Sequence, residues 1–311
     1  MSTILVTGPT GNVGKHVVSK LAEAGLAVRA LVRDPSRARL PAGVEVVSGD
    51  LTAPETLEPA LRDVEAVFLI WPGFAAETAE PVVAAVAKHA RRVVYLSADV
   101  AELAEDEEPA LFHQELERLI RRTGMAWTFL RPSGFATNTL GWAGQIRQGV
   151  VRWPYGEASR SLIHEEDIAA VAVHVLTSGG HAGAAYVITG PERLTQAEQV
   201  RIIGEATGRE VRWEELPPET AREELLAAWG DPEFVDGAPA AQGSSVAQGS
   251  SVECRMAESS SAGCSTSARM RLDMNRAVRM AVPLRVTSLT STRPRLVATS
   301  TRRPARVATT S

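Results

Sequence analysis

Glycines at positions 8, 11 and 14 recur at a spacing of three between an apolar run that ends at Thr7 and a helical pattern that opens at Val13. Residues of these types in this order can hold a phosphate. The unpaired N–H groups at the start of a helix point at an anion, the helix dipole is positive there, and a residue without a side chain lets the anion come close. The stretch Ile4-Leu5-Val6-Thr7-Gly8-Pro9-Thr10-Gly11-Asn12-Val13-Gly14 therefore predicts a strand, a tight turn and a helix start suited to the pyrophosphate of a dinucleotide. Gly8 and Gly11 clear the approach, and Gly14 lets the helix pack against the strand. Further on, Arg33 closes the second apolar run, Leu26 to Val32. An acid at such a strand end would bond a ribose 2′-hydroxyl, whereas arginine pairs with a 2′-phosphate, so NADPH is expected ahead of NADH. Arg29 and Arg37 are nearby alternatives for that contact, and the plain reading of Arg33 is a solvated charge beside Asp34.

The elements that must position these residues alternate along the chain. Val44 to Ser48 reads as a third strand, and Thr52-Ala-Pro-Glu55 as a capping box opening a helix through Leu61. Ala66 to Trp71 follows as a strand, Glu77 to His89 as a helix, and Arg92 to Ser97 as a β-branched strand. After an acidic stretch, Glu102 to Glu108, come a helix from about Leu111 to Arg122 and the strand Trp127 to Arg131, stopped by Pro132. Such alternation predicts a doubly wound α/β fold, a parallel Rossmann sheet with helices on both faces. Residues 1–132 would form this dinucleotide-binding core. Beyond it, glycines and aromatics mix, and helices are expected over Glu165 to Leu176 and Thr195 to Ala206, with the strand Ala185 to Thr189 between them. Residues 133–237 are read as a small substrate lobe over the carboxyl ends of the strands.

Residues 238–311 differ in kind. They contain no aromatic residue, repeat Ala-Gln-Gly-Ser-Ser-Val at 241 and 247, and carry 11 arginines and 3 acids, a charge of +8. The whole chain stands at −4, so residues 1–237 carry −12. A segment with so little to bury is expected to be disordered, or to be the product of a shifted reading frame. Its scattered arginines lack interleaved stacking rings, so nucleic acid is not the expected partner. Both cysteines, Cys254 and Cys264, fall in this stretch, which leaves no disulfide or metal cluster for the folded part. His164 with Glu165, Glu166 and Asp167 offers ligand-type side chains, but successive residues diverge around a helix, and an acidic helix start is the reading adopted. No run is long and apolar enough to span a bilayer; a cytoplasmic protein is expected.

Taken in order, the glycine turn, Arg33, Gly49-Asp50-Leu51, the Val93 to Ser97 strand, His113-x-x-x-Glu117 and Thr128-Phe-Leu-Arg-Pro132 make residues 2–230 resemble the NmrA-like, atypical branch of the short-chain dehydrogenase/reductase superfamily. That resemblance implies NAD(P)H binding, with Gly8, Thr10, Gly11, Asn12, Val13 and Gly14 lining the pyrophosphate, Arg33 the 2′-phosphate, and Asp50 with Leu51 the adenine. Asp50 could equally be a turn former after Gly49. Trp71 is placed as an apolar wall near the nicotinamide ribose. The family includes NADPH-dependent quinone reductases and regulators that bind the dinucleotide without turning it over.

The departures bear on the chemistry. The main branch uses a Tyr-x-x-x-Lys pair to protonate a carbonyl. Four residues after Tyr95, Tyr155 and Tyr186 stand Asp99, Ser159 and Gly190, so that pair is missing. His113 and Glu117 share a helical face one turn apart and are the candidate replacements, as donor and partner or merely as a surface pair. Ser97 could bond a substrate oxygen or simply end its strand. Phe135, Trp142, Trp153 and Tyr155 are the candidate stacking surface for a flat acceptor, or else core of the lobe. The expected function is hydride transfer from NADPH to a quinone-like or other small flat acceptor, in a chain that could also be a homo-oligomer; the alternative is an NADP(H)-sensing regulator without turnover.

Overall fold

The computed structural model describes residues 2–73, 76–99 and 112–229. The tail from 238 and the acidic stretch 102–108 lie outside them. Seven parallel strands form one sheet: β1 (Thr3–Thr7), β2 (Ala27–Val32), β3 (Glu45–Ser48), β4 (Val64–Leu69), β5 (Arg92–Leu96), β6 (Ala126–Pro132) and, later in the chain, Ala184–Ile188. Their order across the sheet is β3-β2-β1-β4-β5-β6 and then Ala184–Ile188. The chain reverses direction at β1, so a crevice opens between the carboxyl ends of β1 and β4, the place where doubly wound folds hold ligands.

Alternate strand residues build two cores because both faces of the sheet are covered. Leu5, Val67, Val93, Tyr95 and Phe129 pack with α2 (Glu58–Leu61), α3 (Ala79–His89) and α4 (Phe112–Arg121). Their neighbours Val6, Phe68, Val94 and Leu130 face the other way, onto α1 (Gly14–Glu23) and a helix over Glu165–Thr177.

Several expected elements shift. The Thr52 capping box is not formed: Thr52 donates both its N–H and its hydroxyl to Asp50 Oδ1, at 2.9 Å each, so its oxygen is turned away from the helix. A 3₁₀ turn, Pro54–Thr56, precedes the four-residue α2 instead. The second capping box is present, with Thr195 and Glu198 bonded reciprocally and Gly208 closing the helix at φ +65°.

The lobe read as 133–237 does not hold together as one piece. Its helix Glu165–Thr177, called α6 below, packs on the main sheet, and Ala184–Ile188 pairs in parallel with β6. What remains is assembled from α5 (Ala143–Gln148), β7 (Val150–Trp153), β8 (Ser159–Arg160), and, past the returning strand β9 (Ala184–Ile188), β10 (Leu194–Thr195), α7 (Gln196–Thr207), β11 (Arg212–Glu215) and α8 (Pro218–Trp229). Its core is Trp142, Ile146, Val151 and Val200, with Trp153, Ile203, Val211 and Trp213 against them. Periodicity identified α6 and β9 as elements but not the layer they join, because an apolar face reads the same whichever core buries it.

Candidate active site at the carboxyl ends of the strands

Gly8 turns the chain out of β1 at φ +56°, a backbone that side chains rarely adopt, and the Gly11 N–H donates to its carbonyl at 3.1 Å. A Cβ on Gly14 would lie 2.1 Å from that same carbonyl oxygen. Thr7 ties the turn to the neighbouring strand, its hydroxyl donating to the Ile70 carbonyl at 2.8 Å and accepting the Ile70 N–H at 2.7 Å. No side chain caps α1, and its first turn holds no acid. A bare helix start behind a glycine-spaced turn fits a pyrophosphate.

Arg33 stands exposed where β2 ends and forms no ion pair among the described residues. Asp34 is turned elsewhere, accepting the Ser36 N–H at 3.0 Å and its hydroxyl at 2.6 Å. Arg29 drops out as an alternative: it bonds Glu45 at 2.8 Å and the carbonyls of Ala60 and Arg62 at 2.9 and 2.6 Å. Arg37 remains beside Arg33 in a 3₁₀ turn, Pro35–Arg37. Arg33→Ala is expected to weaken NADPH binding by about tenfold or more, the order of one charge-assisted hydrogen bond, and to leave NADH binding unchanged. Fluorescence titration with both nucleotides checks this; a parallel loss for NADH would place the guanidinium away from the 2′-position.

Asp50 behaves as the turn former, holding Thr52 through Oδ1. Leu51 and Trp71 are 7% and 8% exposed and belong to the core under α2 and α3. They are core side chains and not free surfaces for stacking.

His113 and Glu117 do not pair with each other. Tyr95, Ser97 and Arg131 all project from β5 and β6 toward α4, and each of the two helix residues finds its own partner among them. The Tyr95 hydroxyl stands 2.6 Å from His113 Nδ1. Burial raises the tyrosine well above its usual range, with the Glu117 charge adding to this, so Tyr95 keeps its proton and donates it. Burial also lowers His113 to about 4, so the ring is neutral near pH 7, with Nδ1 accepting and Nε2 carrying the proton. A depressed folded-state value means the contribution to stability is full above the ordinary 6.5 and is lost as the pH falls from there toward about 4, at about 1.4 kcal/mol per pH unit. His113→Gln is expected to flatten this acid limb in urea unfolding curves taken across that window.

Glu117 is 3% exposed and fully engaged. Arg131 grips it with two bonds, 2.9 Å to Oε1 and 2.6 Å to Oε2, Ser97 donates to Oε1 at 2.7 Å, and Arg121 adds a contact of 3.3 Å. Glu117 and Ser97, read as candidate catalytic groups, thus serve each other and Arg131 in a buried cluster that fastens α4 to β5 and β6. The reason is geometric: spacing puts 113 and 117 on one face, but that face meets two strands, with Tyr95 of β5 at His113 and Arg131 of β6 at Glu117.

The aromatics divide similarly. Trp142 is buried and meets Trp213 edge-on at 6.0 Å, and Trp153 packs beside them. They are core of the small lobe, so the four-ring stacking surface is not formed. Phe135 lies half-buried against the main core. Tyr155 is half-buried at φ +62°, in a loop whose N–H groups at 155 and 156 are held by Glu215 at 2.6 and 3.0 Å. Arg131, named in the sequence only as part of Thr128-Phe-Leu-Arg-Pro132, carried a signal of its own, a charge inside an apolar strand; Tyr95, set aside for want of a lysine, and Thr137 and Trp213 carried none. No group of three metal-ligating side chains converges among the described residues, and no helix among them is long and apolar enough to cross a membrane.

The chain is similar to several known reductases. A (4-alkanoyl-5-oxo-2,5-dihydrofuran-3-yl)methyl phosphate reductase of Streptomyces griseus is 43% identical over 233 residues, covering 74% of this chain and 82% of that protein. An NAD(P)H azoreductase of Xenophilus azovorans is 38% identical over 236 residues, with the same coverage. Among solved structures, Citrobacter triphenylmethane reductase complexed with NADP(H) superposes with a TM-score of 0.67 at 25% identity, covering 80% of this chain and 92% of that one. Quinone oxidoreductase QOR2 of Escherichia coli complexed with NADPH gives 0.66 at 25% identity, covering 78% and 89%. The NmrA-like family profile matches residues 1–236, and the chain belongs to that family.

Proposed function

We propose that this chain, an NAD(P)H-dependent oxidoreductase, reduces a small, flat, conjugated acceptor of the quinone kind. The observation that carries the acceptor class is the hydrogen-bond pairing of the candidate proton donors beneath α4. The Tyr95 hydroxyl is spent on a neutral His113, Glu117 is locked to Arg131, and a Tyr-x-x-x-Lys pair is missing, so none of the candidate groups is an acid ready to protonate an isolated carbonyl. An acceptor that spreads an incoming electron pair over its own conjugated atoms needs no such acid. When bound, the reduced nicotinamide supplies the hydride. The chain's part is to orient it on the glycine turn and to offer the neutral His113 Nε2–H as a hydrogen-bond donor.

Quinone, azo, triphenylmethane and alkanoyl-dihydrofuranone acceptors, the kinds named for the relatives, share this conjugation. Those names also weigh against a sensor that binds NADP(H) without turnover. The test is NADPH consumption with benzoquinone, naphthoquinone, an azo dye and an unconjugated ketone. Turnover is expected with the conjugated acceptors and not with the ketone. Tight NADPH binding with no turnover across the whole panel would overturn the proposal in favour of the sensor.

A further inference from the structure

Glu165 opens α6 and is 1% exposed, yet only one of its carboxylate oxygens is used. Oε1 accepts the Thr137 N–H at 3.0 Å and the Thr137 hydroxyl. Oε2 is buried without a hydrogen-bond partner, the one such side-chain atom among the described residues. A buried carboxylate oxygen lacking a donor carries an uncompensated desolvation cost, and a carboxylate serving only to hold Thr137 would need only one oxygen. Thr137 also connects outward: its hydroxyl oxygen accepts from Asn12 Nδ2 at 3.4 Å, so Asn12, Thr137 and Glu165 form a chain from the glycine turn to the loop after β6 and on into α6.

The sheet order says which half of a dinucleotide this chain of contacts serves. Arg33 and the adenine end lie on the β2 and β3 side; Thr137 follows β6, on the opposite side of β1 with Ile70 and His113. The loop from Ser133 to Trp142 therefore flanks the nicotinamide half. We propose that Glu165 is a positioning residue for that half. It sets Thr137 against Asn12, and its Oε2 is completed by a hydrogen-bond donor of the nicotinamide riboside, a ribose hydroxyl or the carboxamide N–H, as the loop settles on the bound cofactor. The proposal rests on the dinucleotide-binding reading and extends it to a residue outside the glycine turn.

Glu165→Gln keeps the shape and the oxygen that holds Thr137, and replaces Oε2 with a group that donates where a donor must be received. The experiment titrates wild type and variant with NADPH and with 2′,5′-ADP, which lacks the nicotinamide half, and follows thermal unfolding of both. The expected result is a loss of about tenfold or more in NADPH affinity, the order of one hydrogen bond to a charged group, with 2′,5′-ADP affinity and the unfolding midpoint unchanged. The 3-acetylpyridine analogue of NADPH, which has no carboxamide N–H, separates the two donors. If wild type and variant bind it alike, the carboxamide is the donor; if the loss persists, it is a ribose hydroxyl. An equal loss for 2′,5′-ADP, or no loss for NADPH, would overturn the proposal. Failure of wild type to bind either nucleotide would instead refute the dinucleotide reading itself.

Discussion

Gly14→Ala is expected to abolish measurable NADPH binding and to lower stability by about 3 kcal/mol or more, the range of a change that forces backbone apart. The added carbon would lie 2.1 Å from the Gly8 carbonyl oxygen, 2.8 Å from its carbon and 3.0 Å from Pro9 Cα. All three are main-chain atoms of the turn, so nothing can swing aside. Relief requires the turn to open, which moves the N–H groups that would face a pyrophosphate. Two neighbouring substitutions calibrate the effect. A Cβ on Gly11 would meet the same oxygen at 3.3 Å, a contact that a small shift relieves, so Gly11→Ala should weaken NADPH by a much smaller factor. Gly144 lies in α5 with nothing within 4 Å of its Cβ position. Gly144→Ala should leave NADPH binding alone and stabilise by up to about 1 kcal/mol through helix propensity. Nucleotide titration and urea unfolding of the three variants give the ranking; Gly14→Ala binding NADPH like wild type would mean the turn is not the cofactor seat.

That turn was legible in the sequence because its geometry is local. The strand, the glycines and the helix start are contiguous, and each residue's role follows from backbone geometry it shares with its neighbours. The exposed position of Arg33 was legible for a related reason, since the residue that closes an apolar run stands at the open end of its strand. The roles of His113, Glu117 and Ser97 were not. Helical spacing correctly put 113 and 117 on one face, but their partners come from β5 and β6, and no spacing within α4 reveals that Tyr95 stands opposite one and Arg131 opposite the other. Trp142 and Trp153 failed differently: a ring in a glycine-rich stretch looks available, and only the return of β11 with Trp213 shows that the three rings fill a separate small core. Glu165 had looked like one more acid at a helix start; it is buried and bonded to Thr137, twenty-eight residues earlier.

Arg131→Met separates the structural role of the buried cluster from any part in turnover. Removing the guanidinium leaves the Glu117 carboxylate buried with Ser97 and the more exposed Arg121, and breaking a buried pair from one side costs about 3–5 kcal/mol. Arg121 already touches Oε2 at 3.3 Å and can move closer, so the loss should fall toward the lower end of that range. The second variant, Arg131→Met with Glu117→Leu, removes the charge along with its partner, and should regain most of the stability, because two apolar side chains of similar volume need no desolvation repaid. Urea unfolding measures both, and quinone turnover of the double variant then answers the catalytic question without a folding defect in the way. If Glu117 only fastens α4 to the sheet, the stable double variant keeps its turnover, since Tyr95 still holds His113 in place. Turnover lost from a well-folded double variant would return Glu117 to the chemistry, and an Arg131→Met variant as stable as wild type would mean that the carboxylate does not depend on its guanidinium partner at all.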